Sequence, residues 1–102
     1  MPAADLSPLA ARLESATDAM EAREWPAAIG LLVGLLADLE GLGHDALEAT
    51  TRALLAQSLA SGERMAEATE QATRAVAAAE RSNDRDVIHR CMALLTSLRF
   101  MT

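Results

Sequence analysis

The 102-residue chain has no tyrosine, one tryptophan (Trp25) and one phenylalanine (Phe100), so aromatic side chains cannot build its core. Its one cysteine, Cys91, excludes an intramolecular disulfide and suits a reducing compartment. Positive charge is also scarce: 9 Lys+Arg stand against 15 Asp+Glu, a formal charge of -6. A field of that sign repels phosphate backbones, and no local basic face offsets it, so nucleic acid is not an expected partner. Signatures of catalysis and cofactor binding are missing too. The glycines of Gly41-Leu42-Gly43 are not followed by the Lys-Ser/Thr of a phosphate loop. The helical pairs Glu63/Glu67, Glu67/Glu70 and Glu80/Asp84 read as solvated faces, with no second cue for acid–base work. His44 falls in a loop, and His89 and Cys91, two apart on a helix, point some 200° apart and cannot hold one ion. The expectation is a non-enzyme with no metal and no cofactor. A thiol activated by His89 is the enzymatic alternative, but Cys91 lies on an apolar stripe and reads as a small core residue. The N-terminus lacks a basic stretch followed by an apolar one, so it does not read as a secretory signal, and the expected compartment is the cytoplasm.

What is present is aliphatic. Hydrophobic residues make up 51 % of the chain, mostly Leu, Ala and Met. The most apolar stretch runs from Pro26 to Leu42, with no charged side chain between Ala27 and Ala37. Ile29, Leu32, Val33, Leu36 and Leu39 recur at helical spacing, Pro26 fits a first turn, and Gly41 and Gly43 offer left-handed stops. A bilayer span needs roughly 20 apolar residues, so no membrane crossing is expected. Such a helix must be covered on nearly every side. Gly30 and Gly34 lie one turn apart, and each lowers helix propensity by about 1 kcal/mol relative to Ala. Tight packing inside the chain is the expected compensation; a close crossing at a subunit interface is the alternative.

Around this helix four others are predicted, making one all-α domain over residues 1–102. Ser7-Pro8 opens the first, about Pro8 to Arg23, with Leu9, Leu13, Ala16 and Met20 on one stripe. The second runs from Pro26 to Gly41. The third starts at Asp45, where Asp45 and Glu48 form a capping pair, and Ser61-Gly62 ends it. The fourth covers about Glu63 to Arg81, with small inward residues Ala68, Ala72 and Ala79. Asn83 closes it in the left-handed conformation and Asp84 caps the fifth, about Arg85 to Phe100.

The helices repeat. A shift of 40 places Ala28 on Ala68, Leu32 on Ala72, Leu36 on Val76, Leu47 on Val87 and Leu55 on Leu95; the first helix requires a shift of 39, bringing Ala16 onto Leu55 and Met20 onto Leu59. With Ala16, Trp25, Ala28 and Leu32 in one unit and Ala56, Gly62, Ala68 and Ala72 in the next, the chain resembles the tetratricopeptide-repeat (TPR) family. The likeness spans about Leu9 to Glu80, with the last helix as a cap. The period exceeds the family's usual one of about 34. The family's turn sequence is replaced by Arg23-Glu24-Trp25 and Gly62-Glu63-Arg64, and its proline after the second helix is absent. The expected architecture is five antiparallel helices in TPR-like pairs, or alternatively a plain five-helix bundle.

The resemblance implies an adaptor or small chaperone that binds a peptide or helical segment of a partner protein along the first helix of each unit. Transferred to this chain, the groove positions are Leu13, Thr17, Met20 and Glu21, then Thr50, Ala53 and Gln57, then Arg90 and Ser97. The alternative is structural: a homodimer, or a subunit of a larger assembly, joined through helix 26–41 at Gly30, Gly34, Leu31 and Leu35.

Overall fold

The computed structural model describes residues 7–101, which form five α-helices and no strand. They are α1 (Ser7–Glu21), α2 (Trp25–Leu39), α3 (Asp45–Ser61), α4 (Met65–Ser82) and α5 (Arg85–Met101). Consecutive helices pack on one another. In addition α3 touches both α1 and α5, whereas α2 and α4 do not touch each other. The odd-numbered helices therefore form one continuous layer, and α2 and α4 lie as a second layer on its back. The molecule extends 47 × 28 × 19 Å.

Two turns carry the repeat. In the first, the N–H of Arg23 donates to Met20 O (3.0 Å), that of Glu24 to Ala19 O (2.9 Å) and that of Ala28 to Glu24 O (2.9 Å). In the second, Glu63 donates to Ala60 O (3.0 Å), Arg64 to Leu59 O (2.8 Å) and Ala68 to Arg64 O (2.9 Å). Every partner is displaced by 40 residues. The 39-residue shift expected for the first helix is thus corrected: Ala16 corresponds to Ala56, both fully buried, and Ala19 to Leu59. The glycine expected to stop α3 does not do so through its conformational freedom. Gly62 holds an ordinary φ of −86°, and Glu63 takes the left-handed turn at φ 65°, as Arg23 does at φ 60°. Gly41 and Gly43, by contrast, have φ of 81° and 73° and shape the α2–α3 loop.

The capping pair expected at Asp45 and Glu48 is also corrected. His44 occupies the N-cap without a side-chain bond, and both carboxylates instead accept from Arg81 of α4, at 3.1 and 3.3 Å. Arg52 bridges the same two helices, donating to Glu48 (2.9 Å) and to Gln71 (2.8 Å). Its counterpart forty residues earlier, Arg12, pairs with Asp38 of α2. Asn83 and Asp84 behave as expected: Asn83 is left-handed at φ 61°, and Asp84 Oδ1 accepts from the N–H groups of Asp86 (3.0 Å) and Val87 (3.3 Å).

The core is aliphatic and unevenly filled. On α2 the buried stripe is Ala28, Leu32, Leu35 and Leu39; forty residues on, α4 buries Ala68, Ala72, Ala75 and Ala79. Leucine at one crossing and alanine at the other mean that the α3–α4 pair packs more closely, since an alanine stripe holds the helix axes nearer together. Near-complete coverage of α2 is not found: Val33 is 52 % exposed. Of its glycines, Gly34 is half-buried beneath the Arg12 guanidinium, whereas Gly30 does not pack within the chain. A Cβ on Gly30 would meet nothing within 4 Å, and one on Gly34 would meet only the Arg12 guanidinium, at 3.3 Å.

Candidate functional site: a furrow across the odd-numbered helices

Because α3 and α5 start forty residues apart, at Asp45 and Arg85, and both follow the helical period, matching residues face the same way. Thr51, Leu55 and Ser58 point into the core from α3, as Cys91, Leu95 and Leu98 do from α5. The residues turned about 100° from that stripe border the seam between the two helices. There Thr50, Ala53, Leu54 and Gln57 face Arg90, Ala93, Leu94 and Ser97 across a depression of ≈ 390 Å³.

A second depression, also ≈ 390 Å³, continues from the first and shares Gln57, Leu94 and Ser97 with it. Met20 of α1, Trp25 and Met101 extend its lining. The furrow thus runs across α1, α3 and α5, with a half-buried Leu54 and Leu94 as its floor.

Of the nine groove positions expected from the sequence, Thr50, Ala53, Gln57, Arg90 and Ser97 line the first depression and Met20 the second. Leu13 and Thr17 are half-buried on α1; the Thr17 hydroxyl donates to Leu13 O at 3.0 Å. Glu21 is exposed at the end of α1, and these three line neither depression. Leu54 and Leu94, which form the floor, were not among the expected positions, although their matching places in the repeat mark them as equivalent. Of the four self-association residues, Gly30 and Leu31 lie on the surface and Gly34 is half-buried. Leu35 is fully buried against the core and is removed from that face.

The furrow's electrostatics are simple. Arg90 is exposed and forms no ion pair among the described residues, unlike Arg12, Arg52, Arg64, Arg74 and Arg81. It is therefore available to a carboxylate on an incoming chain. Burial pushes the Cys91 thiol above its ordinary pKa, an effect that the nearby Arg90 charge only partly opposes. His89 and Cys91 both border the first depression, but the Cys91 sulfur is buried and contacts Ala49 O at 3.9 Å, whereas His89 is exposed. Among the described residues no group of three or more His, Cys, Asp or Glu is placed to hold a metal ion, and no helix is long and apolar enough to cross a membrane. In comparisons with known proteins, no family model, curated protein or solved structure matches the chain.

Proposed function

We propose that the chain is a non-enzymatic protein-interaction module, an adaptor or small chaperone of TPR-like build, working in the cytoplasm without a cofactor. Its ligand is a peptide or helical segment of a partner protein, held in the furrow across α1, α3 and α5. The observation that supports this reading is the convergence of Thr50, Ala53, Gln57, Arg90 and Ser97 on one depression. An apolar floor at Leu54 and Leu94 supplies affinity, and the polar rim orients the chain that lies on it. The two-layer stacking of helix pairs at a 40-residue spacing supports the TPR-like part of the proposal.

A peptide library displayed on phage, selected on the wild-type protein, tests it. Selected peptides should lose at least about tenfold in affinity on Arg90→Glu, and several-fold on Gln57→Ala, with both melting temperatures unchanged; tenfold is roughly 1.4 kcal/mol. Peptides that bind all three proteins equally would remove the furrow from the account.

A further inference from the structure

The two helices of the second layer are built alike on the inside and differently on the outside. Buried positions correspond at a spacing of 40, Ala28 with Ala68 and Leu32 with Ala72. On the solvent side, α4 carries Glu70 and Arg74, an exposed ion pair at 2.8 Å. Forty residues earlier, the same two positions of α2 are Gly30 and Gly34. Exposed Thr73 is matched by Val33, 52 % exposed, and Gln71, which is half-buried and accepts from Arg52 at the edge of that face, by Leu31, 39 % exposed. A helix face that needs only solvent is served by the α4 arrangement. The α2 face gives up helix propensity at both glycines; the Arg12 guanidinium, 3.3 Å from where a Cβ of Gly34 would stand, accounts for Gly34, but among the described residues nothing lies within 4 Å of such a Cβ on Gly30.

From this contrast we infer that the outer face of α2 is a self-association surface, with a second copy of the chain as its occupant. The face is self-complementary, as a two-fold interface demands. Its centre is a notch at Gly30, bounded by the Arg12 guanidinium over Gly34, and it carries its own knobs, Leu31 and Val33, to either side of that notch. A two-fold crossing sets the knobs of each copy into the notch of the other, with backbones close together, as small residues allow.

Charge points to the same occupant. Two chains of formal charge -6 repel wherever acidic faces meet, but the α2 face has no charged residue from Trp25 to Ala37. At its edge Asp38 is already neutralised by Arg12. The area sets the strength. A helix of 15 residues is about 22 Å long and about 10 Å across, and buries on the order of 400 Å² a side, half of a standard interface. The dimer is therefore weak and depends on concentration.

Sedimentation equilibrium of the whole chain, from micromolar to millimolar, tests the inference. The wild type should move from 10.8 kDa toward twice that mass. Val33→Glu should remain monomeric throughout. Gly30→Ala, which has open space for its methyl group, should raise the monomer's melting temperature while weakening the dimer at least fivefold. That opposite movement is one that general destabilisation cannot produce. Arg90→Glu, in the furrow, should leave the mass curve unchanged. A wild type that stays monomeric at millimolar concentration overturns the inference, as does a dimer that survives Val33→Glu; a partner's apolar helix or a lipid surface would then be the occupant to seek.

Discussion

Arg23 and Glu63 hold the same left-handed backbone conformation, at φ 60° and 65°, forty residues apart in turns with matching hydrogen bonds. Neither is a residue type that favours that region, where the Cβ crowds the following carbonyl at a cost of roughly 1–2 kcal/mol. Glu63→Gly should therefore stabilise the protein by about 0.5–1 kcal/mol, after subtracting the greater freedom of glycine in the unfolded chain. Urea denaturation measures it, and a loss of stability would mean that Glu63 makes a compensating contact.

The crossings at Leu32 and Ala72 should respond in opposite senses to size. Both side chains are fully buried at equivalent positions. Leu32→Ala leaves a cavity and should cost about 2–5 kcal/mol. Ala72→Leu forces apart the closely packed α3–α4 pair and should cost about 1–3 kcal/mol or more. An Ala72→Leu variant as stable as the wild type would contradict close α3–α4 packing.

Asp84 and Asp45 start helices that look alike in sequence but should behave differently. Asp84→Ala removes an acceptor of two backbone N–H groups and should cost about 1 kcal/mol. Asp45→Ala removes a partly exposed contact with Arg81 and should cost less than about 0.5 kcal/mol. Equal losses on thermal melting would contradict the assignment of only Asp84 as a cap.

Cys91 links burial to pH. Its pKa is raised in the folded state, so the folded protein disfavours the thiolate relative to the unfolded chain. The sign of the linkage follows: this contribution to stability is fully present below the unfolded thiol's pKa and is lost as pH rises through the folded value. Alkaline titration of Cys91→Ala should lack that loss. Iodoacetamide at pH 8 should label the native thiol at least about a hundredfold more slowly than in urea, because access requires opening. A native rate faster than that in urea would restore the activated-thiol reading, and an equal rate would contradict the burial of the thiol.

The five helices and most of their boundaries were legible in the sequence because apolar spacing, Pro26, Asn83 and Asp84 act locally. The orientation of α2 was not. A helix apolar around its circumference has no polar side to mark the outside, so Leu35, placed on the self-association face, is buried, while Val33, which recurs at helical spacing with Leu32 and Leu39, is exposed. Gly62 misled for a related reason: glycine permits the left-handed turn but does not require it, and the register of α4 places that turn on Glu63. In the furrow, the polar residues Gln57, Arg90 and Ser97, which border one depression, were named through the register that the TPR resemblance implies. The floor at Leu54 and Leu94 was not, since periodicity alone does not separate a leucine in the core from one at a seam.

The most direct test of the proposed binding mode is amide chemical-shift mapping of the labelled protein with a selected peptide. The account predicts that shifts concentrate at Thr50, Ala53, Gln57, Arg90 and Ser97, with α4 and the outer face of α2 unmoved. Shifts centred on Gly30 to Ala37, or spread evenly over all five helices, would contradict it.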